Sequence, residues 1–503
     1  MANLLERASV VLTATAYNNG EALCIKPDDG SGDFQFSRNS AATRVNAQGL
    51  VENVQTISGN LLDYSTFTSP SASWSLVGGL WVFDDTANGY VVTPNLAVVV
   101  GDVFDVVVNV TIASGNANFR YTSGNGQTRL FDYTDFVDGV NEFQATVMGV
   151  DGILQRIFAP ASLTDNPFTL NSISIKKISQ DTNLPRINYE ASCGSWLFEP
   201  QTTQLLTYSE DFSQWIAGGS TTIQSGYLAP DGTNSAYKVS GSGSALSLAA
   251  SLLATTTRSI YARTVSGTGQ ANLCSYNSNT NNLFTITEEW QRFDVNSANA
   301  TGVTTFYAVD FRGGTTLSEI ILWGANATND QDYATSYVPS NGSTVTRNKD
   351  LCTNGGSVAS INSTEGVLYA EIAALSDDGT TRYISLSDGS DANDVRLYFN
   401  VGGNISVLSK VGGSTQCFIN SNAYPQTDFN KVAFKYKEND FALWINGIEA
   451  GTDTSGITAT TGTLNKLSFS RGGNNLPFYG KTKCLAVWKE ALTDAELTAL
   501  TTI

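Results

Sequence analysis

Between Lys431 and Lys437 the chain alternates without a break. Val432, Phe434 and Tyr436 take one side, and Lys431, Ala433, Lys435 and Lys437 the other. A period of two predicts a strand with one buried and one solvated face, the lysines also discouraging edge-to-edge pairing. Glu438-Asn439-Asp440 turns the chain into the apolar run Phe441–Ile445, and Asn446-Gly447 follows, the pair that tolerates the positive φ angles of a tight hairpin. Val103–Ile112 and Val367–Leu375 are further apolar, β-branched runs. Short strands set between Gly, Asn, Asp and Ser recur throughout, the spacing of sandwiches rather than of a parallel α/β sheet. One helix is predicted, at the end of the sequence. There Thr493-Asp494-Ala495-Glu496 reads as a capping box and Leu492, Leu497 and Leu500 as the apolar stripe.

A weak repeat divides the chain. Asn60-Leu61-Leu62-Asp63-Tyr64-Ser65, with Phe67 and Trp74, matches Gln204-Leu205-Leu206-Thr207-Tyr208-Ser209, with Phe212 and Trp215. Each copy runs on to an apolar strand, Ser172–Ile175 in the first and Glu319–Trp323 in the second, which predicts two sandwiches of one kind in tandem. Proline-bearing stretches around Pro185 and Pro200, and at Tyr337–Ser343, read as extended connectors. The expected organisation is a separate N-terminal section over 1–58, a jelly-roll-like sandwich over 59–180, and a connector over 181–203. A second jelly roll follows over 204–345 and a C-terminal sandwich over 346–503. The fold class is all-β.

Composition narrows the chemistry. The 503 residues hold 28 Lys+Arg against 46 Asp+Glu, a formal charge of −18, and no histidine. Without imidazole there is no Ser-His-Asp or Cys-His pair and no His-ligated metal. The negative balance argues against nucleic acid, whose phosphates call for a surplus of Lys and Arg, and against anionic lipid. The six cysteines are scattered, with no close pair for zinc, and are expected to be reduced thiols. No basic leader with an apolar run opens the sequence and no apolar stretch reaches membrane-spanning length, so synthesis in a cytoplasm is expected and a membrane partner is not. A binding or structural protein remains, or an enzyme using carboxylates alone.

Several motifs point further. Phe34-Gln35-Phe36-Ser37-Arg38-Asn39-Ser40-Ala41-Ala42-Thr43-Arg44-Val45-Asn46, Pro185–Tyr189, Leu197–Gln201 and Tyr208–Trp215 together resemble bacteriophage virion proteins of the tail-fibre and head-fibre kind. Ala229-Pro230-Asp231-Gly232-Thr233, Glu289–Arg292 and Tyr333–Pro339 are similar to carbohydrate-binding-module-like jelly rolls. Phe441–Gly447, Phe478–Lys481 and Leu492–Leu497 resemble a laminin-G-like, concanavalin-type sandwich. The resemblance implies a structural protein of the virion, made in the bacterial host, with residues 1–58 contacting other virion proteins and the outer domains meeting host-surface glycans. It also implies a homo-oligomer, a trimer by preference. A capsid decoration protein with protein contacts only, and a carboxylate-based polysaccharide depolymerase, are the alternatives.

Sugar binding calls for an aromatic face and polar groups that bond hydroxyls. In the C-terminal domain Tyr383, Asp388, Asp391, Tyr398 and Asn400 have the right chemistry, and half-buried strand tyrosines with turn-forming aspartates are the competing explanation. Trp74, Trp215, Trp290, Trp444 and Trp488 read as core. Laminin-G-like folds often hold calcium at a loop edge, which makes Asp388, Asp391 and Asp394 candidate ligands. The turn Asp28–Asp33 is a weaker candidate, and turn chemistry accounts for both. No local signature marks a catalytic carboxylate pair, so no catalytic residue is assigned.

Overall fold

The alternating runs become antiparallel strands in a computed structural model. It describes residues 2–68, 71–113, 115–161, 167–179, 182–190, 192–253, 255–275, 282–296, 305–329 and 331–503. Two compact units emerge, one of residues 55–180, the other of residues 1–54 with 181–503.

Residues 55–180 are a two-sheet sandwich. One sheet runs in the order Gly139–Thr146, Val103–Ile112, Phe168–Ser179, Leu80–Phe83, Trp74–Val77. Val103–Ile112 turns Phe104, Val106, Val108 and Val110 inward, against Trp74, Phe83, Phe119, Phe131 and Phe168. The jelly roll of the other unit repeats this order with Gln291–Val295, Thr257–Arg263, Glu319–Thr328, Ala236–Ser240 and Thr222–Tyr227. The sequence repeat is therefore a repeated topology. Its core holds Phe212, Trp215, Ile260, Phe306 and Leu322.

The C-terminal sandwich packs two sheets face to face. The larger has the order Ile187–Glu190, Cys193–Phe198, Gly480–Trp488, Glu365–Ala374, Asn430–Lys437, Phe441–Ile445, Ile448–Asp453. The smaller runs Ser414–Ser421, Ile405–Val411, Asp394–Phe399, Arg382–Ser387, Lys466–Ser468. The Asn446-Gly447 hairpin forms with φ of 50° and 85°, and the Thr493/Glu496 capping box is made on both sides. All six cysteines are free, and the five tryptophans singled out in the sequence pack into apolar clusters.

Four expectations need correction. Residues 1–54 are not a section apart. Val10–Thr13 pairs with Gly480–Trp488, and Phe34–Ser37 pairs with Leu351–Thr353. The run Val10-Val11-Leu12 is buried on both faces of the sheet, which only a strand inside the sandwich can achieve. The hairpin Thr43–Val45/Val51–Asn53 sets Val45 and Val51 against Trp323 and Tyr337 of the jelly roll. The stretch 181–203 is likewise no extended linker. Ile187–Glu190 and Cys193–Phe198 form a hairpin in the large sheet, and Pro185 and Pro200 mark its ends rather than interrupting it. The lysine face of Asn430–Lys437 is not wholly solvated, because the helix Asp494–Thr501 lies on that sheet and buried Lys435 pairs with Asp440 at 2.7 Å. A second helix, Ala2–Arg7, brings Leu4 to the same cluster.

The motif residues explain how these pieces hold together. Arg186 donates to Glu199 at 2.5 Å and also to Asp350, and Arg347 donates to Glu199. Arg38 reaches Asp350 at 3.2 Å and the Leu184 carbonyl at 2.9 Å. Ser336 donates its N–H and hydroxyl to Glu199 at 2.9 and 2.7 Å. All five charged side chains are buried. They come from the N-terminal segment, the hairpin, the end of the jelly roll and the start of the last sandwich.

Candidate functional site

The smaller sheet of the C-terminal sandwich presents a polar outer face. Ile384, Leu386, Val395, Leu397, Ile405, Val407, Cys417 and Ile419 point into the core. Side chains alternate along a strand, so the residues between them point away. The register sets Tyr383, Tyr398, Ser406 and Asn420 in one row and Ser385, Arg396, Leu408 and Phe418 in the next. Asn400 donates to the Ser406 hydroxyl at 2.9 Å and to the Asn420 side-chain carbonyl at 2.8 Å, and Ser406 donates to Asn420 at 2.6 Å. Phe418 is 53% exposed among these hydrogen-bonding groups.

The residues singled out in the sequence all fall on this face or its rim, and each is already engaged. Tyr383 and Tyr398 are cross-strand partners stacked on one another, ring centroids 4.7 Å apart, and each is only 9% exposed. The Arg396 guanidinium lies 5.7 Å from the Tyr383 centroid. Asp388 closes its own turn, accepting from the Ser390 N–H at 2.8 Å and hydroxyl at 2.6 Å and from Asn393 at 2.8 Å. Burial opposes its ionisation, but the Asn393 and Ser390 hydrogen bonds win and hold its carboxyl below the usual range. Asp391 pairs with Arg471. Asp394 pairs with Arg396 at 3.0 Å. Asn400 accepts from the Gly402 N–H at 2.8 Å and so also shapes a turn.

This donor set does not fit calcium, which takes about 6–8 oxygen ligands. Guanidiniums already neutralise two of the three carboxylates, and among the described residues no group of three or more Asp, Glu, Cys or His side chains is arranged to hold a metal. In the Asp28–Asp33 turn, Asp29 accepts from Ser31 and Asp33 from the Cys24 N–H, again turn chemistry.

Burial pushes the Asp394 carboxyl up to about 6, against the pull of Arg396 and with the Asp391 charge adding to the rise. A raised carboxyl favours the protonated form in the fold. Its stabilising share is full below about pH 4 and is lost as pH rises through about 6. Asn does not titrate, so relative to D394N, which leaves the buried Arg396 without its counter-ion, the parent is expected to lose about 1–3 kcal/mol of stability between pH 4 and pH 7.5. Denaturant melts of both proteins at the two pH values would show it. A difference between them that is the same at both pH values would contradict this.

Sequence reasoning missed Phe418. The signal was present, because Cys417 and Ile419 are inward-facing neighbours in a two-faced strand and so turn the phenylalanine outward.

No curated protein matches the chain. Three solved structures illustrate what it is similar to. The CBM40 of the Ruminococcus gnavus IT-sialidase, bound to α2,3-sialyllactose, is 22% identical over 28% of this chain and 83% of that one, with a TM-score of 0.25. Domain 4 of a GH43 extracellular arabinanase from Geobacillus stearothermophilus, in complex with arabinotriose, is 16% identical over 34% and 84%, with a TM-score of 0.25. The heptameric SAP-like pentraxin from Limulus polyphemus is 16% identical over 29% and 72%, with a TM-score of 0.24. Over residues 351–498, the stretch that builds both sheets around the polar face, the sequence matches the model of the concanavalin A-like lectin/glucanases superfamily.

Proposed function

We propose that this chain is a non-catalytic glycan-binding attachment protein, and that the polar face around Phe418 seats the sugar. The observation that carries this reading is the exposed Phe418 ring beside the neighbouring row of amide and hydroxyl groups. An aromatic plate takes the apolar C–H face of a pyranose, and Asn420 and Asn400, held in place by the buried Ser406 hydroxyl, bond its hydroxyls. Hydrolysis would need two free carboxylates facing across a cleft. On this face Asp391 and Asp394 are held by Arg471 and Arg396, which supports binding rather than turnover. The motifs from Phe34 to Asn46 and around Arg186 and Glu199 support placement on a phage particle, in contact with other virion proteins and facing a host-surface glycan. A trimer would multiply weak sites through effective concentration.

The test is Phe418→Ala on a glycan array. The variant should lose about tenfold or more in affinity, at least 1.4 kcal/mol, with an unchanged melting temperature because the ring is exposed. Undiminished binding by the variant, or no glycan bound by the parent, would overturn the proposal. Turnover of a bound polysaccharide would favour the depolymerase, and imaging of particles would test the virion assignment.

A further inference from the structure

A concavity lies in the same unit as the polar face but is built by other residues. It has a volume of about 510 Å³ and is lined by the N-terminal hairpin, the hairpin at Asn188–Glu190, the jelly roll and the last sandwich. That volume falls within the roughly 300–1,000 Å³ of small-ligand sites. Among the described residues, two groups on its wall lack partners. Arg292 Nε and the Tyr333 hydroxyl are both buried without a hydrogen bond. Buried donors are normally satisfied, so two orphans on one wall point to a ligand that accepts from them.

The charges in the wall decide which ligand. Arg44, Arg292 and Lys481 face Glu190, Asp294 and Glu199, three cations against three anions. Arg44 is paired with Glu52 at 2.8 Å, Lys481 with Glu190, and Glu199 with two buried arginines. Arg292 and Asp294 remain, two positions apart on one strand face and without an ion pair among the described residues. Arg292 donates to the Ser259 hydroxyl at 2.8 Å and lies 5.4 Å from the Tyr261 ring centroid. The wall thus offers two free donors, on Arg292 and Tyr333, and one free acceptor, Asp294, and no net charge to favour an ion.

We propose that this cleft is a second saccharide site, independent of the Phe418 face, and that it takes the end of a neutral oligosaccharide. Arg292 and Tyr333 donate to sugar oxygens, and Asp294 accepts from a sugar hydroxyl. A carboxylate-bearing sugar gains one contact at Arg292 but sets its charge against Asp294.

The full chain carrying F418A isolates this site. An array of neutral and uronic-acid trisaccharides, probed at up to about 10 mM, reaches binding as weak as a Kd of about 1 mM. F418A should still capture neutral trisaccharides. F418A/R292M and F418A/D294A should lose about tenfold or more, with melting temperatures equal to that of F418A. If F418A captures nothing while the parent binds, the cleft proposal falls and the Phe418 face stands. If uronic-acid sugars bind as well as neutral ones, or R292M and D294A leave capture unchanged, the assignment is overturned.

Discussion

Glu199→Ala is expected to lower the melting temperature of the unit formed by residues 1–54 and 181–503 by roughly 4–6 °C, leaving the transition of residues 55–180 in place. Removing one partner of a buried ion pair costs about 3–5 kcal/mol, because the charge left behind has neither water nor a counter-ion. Here two guanidiniums are left, those of Arg186 and Arg347, together with the Ser336 N–H and hydroxyl. Calorimetry of the full chain would resolve the two transitions. An unshifted larger transition would show that the network holds nothing together.

The same network predicts an asymmetry. Three arginines face two carboxylates, a surplus of one positive charge: Arg38, Arg186 and Arg347 against Glu199 and Asp350. Arg38→Met removes the surplus and forfeits hydrogen bonds, at about 1–3 kcal/mol, and so should cost less than Glu199→Ala although both side chains are buried. Burial alone would raise the Glu199 carboxyl, but Arg347 and Arg186 overcome it and hold it far below the usual range. A depressed carboxyl contributes its full share above the unfolded value near 4.5 and loses it as pH falls. The gap between parent and E199A should therefore narrow steadily below about pH 4.5.

Where a strand buries one face, its alternation was readable. Val103–Ile112, Asn430–Lys437 and the Asn446-Gly447 hairpin came directly from side-chain period and turn chemistry. What covers the second face was not readable, because that depends on distant segments. The lysines of Asn430–Lys437 look solvated until the helix Asp494–Thr501 is folded onto them. Arg186 and Glu199 likewise sit in a stretch whose prolines suggest a linker. Only folding brings Arg38, Arg347 and Asp350 from afar to meet them. On the polar face, residue chemistry located Tyr383, Tyr398 and the aspartates, but the cross-strand register decides that they engage one another and that Phe418 is free.

A fragment of residues 346–503, the span that the motifs mark as a domain, is expected not to fold alone. Its core is completed from outside by Val10, Leu12, Phe34, Phe36, Ile187, Trp196 and Phe198, all buried. Phe198 and Phe34 lie 4.7 and 5.5 Å from Phe469, and Phe34 rests directly over Gly355. Loss of one buried aromatic side chain costs about 3–5 kcal/mol, and the whole margin of a domain is about 5–15 kcal/mol. Losing Phe34, Phe36, Trp196 and Phe198 together, at about 12–20 kcal/mol, reaches or exceeds that margin. Cutting away Val10–Thr13 and Cys193–Phe198 also leaves Gly480–Trp488 as a bare apolar edge, an invitation to aggregate. Residues 55–180 carry their own core of Trp74, Phe104, Phe119 and Phe168, and that fragment should unfold cooperatively by circular dichroism. A sharp, reversible transition in 346–503 would mean that the N-terminal strands decorate the sandwich instead of completing it.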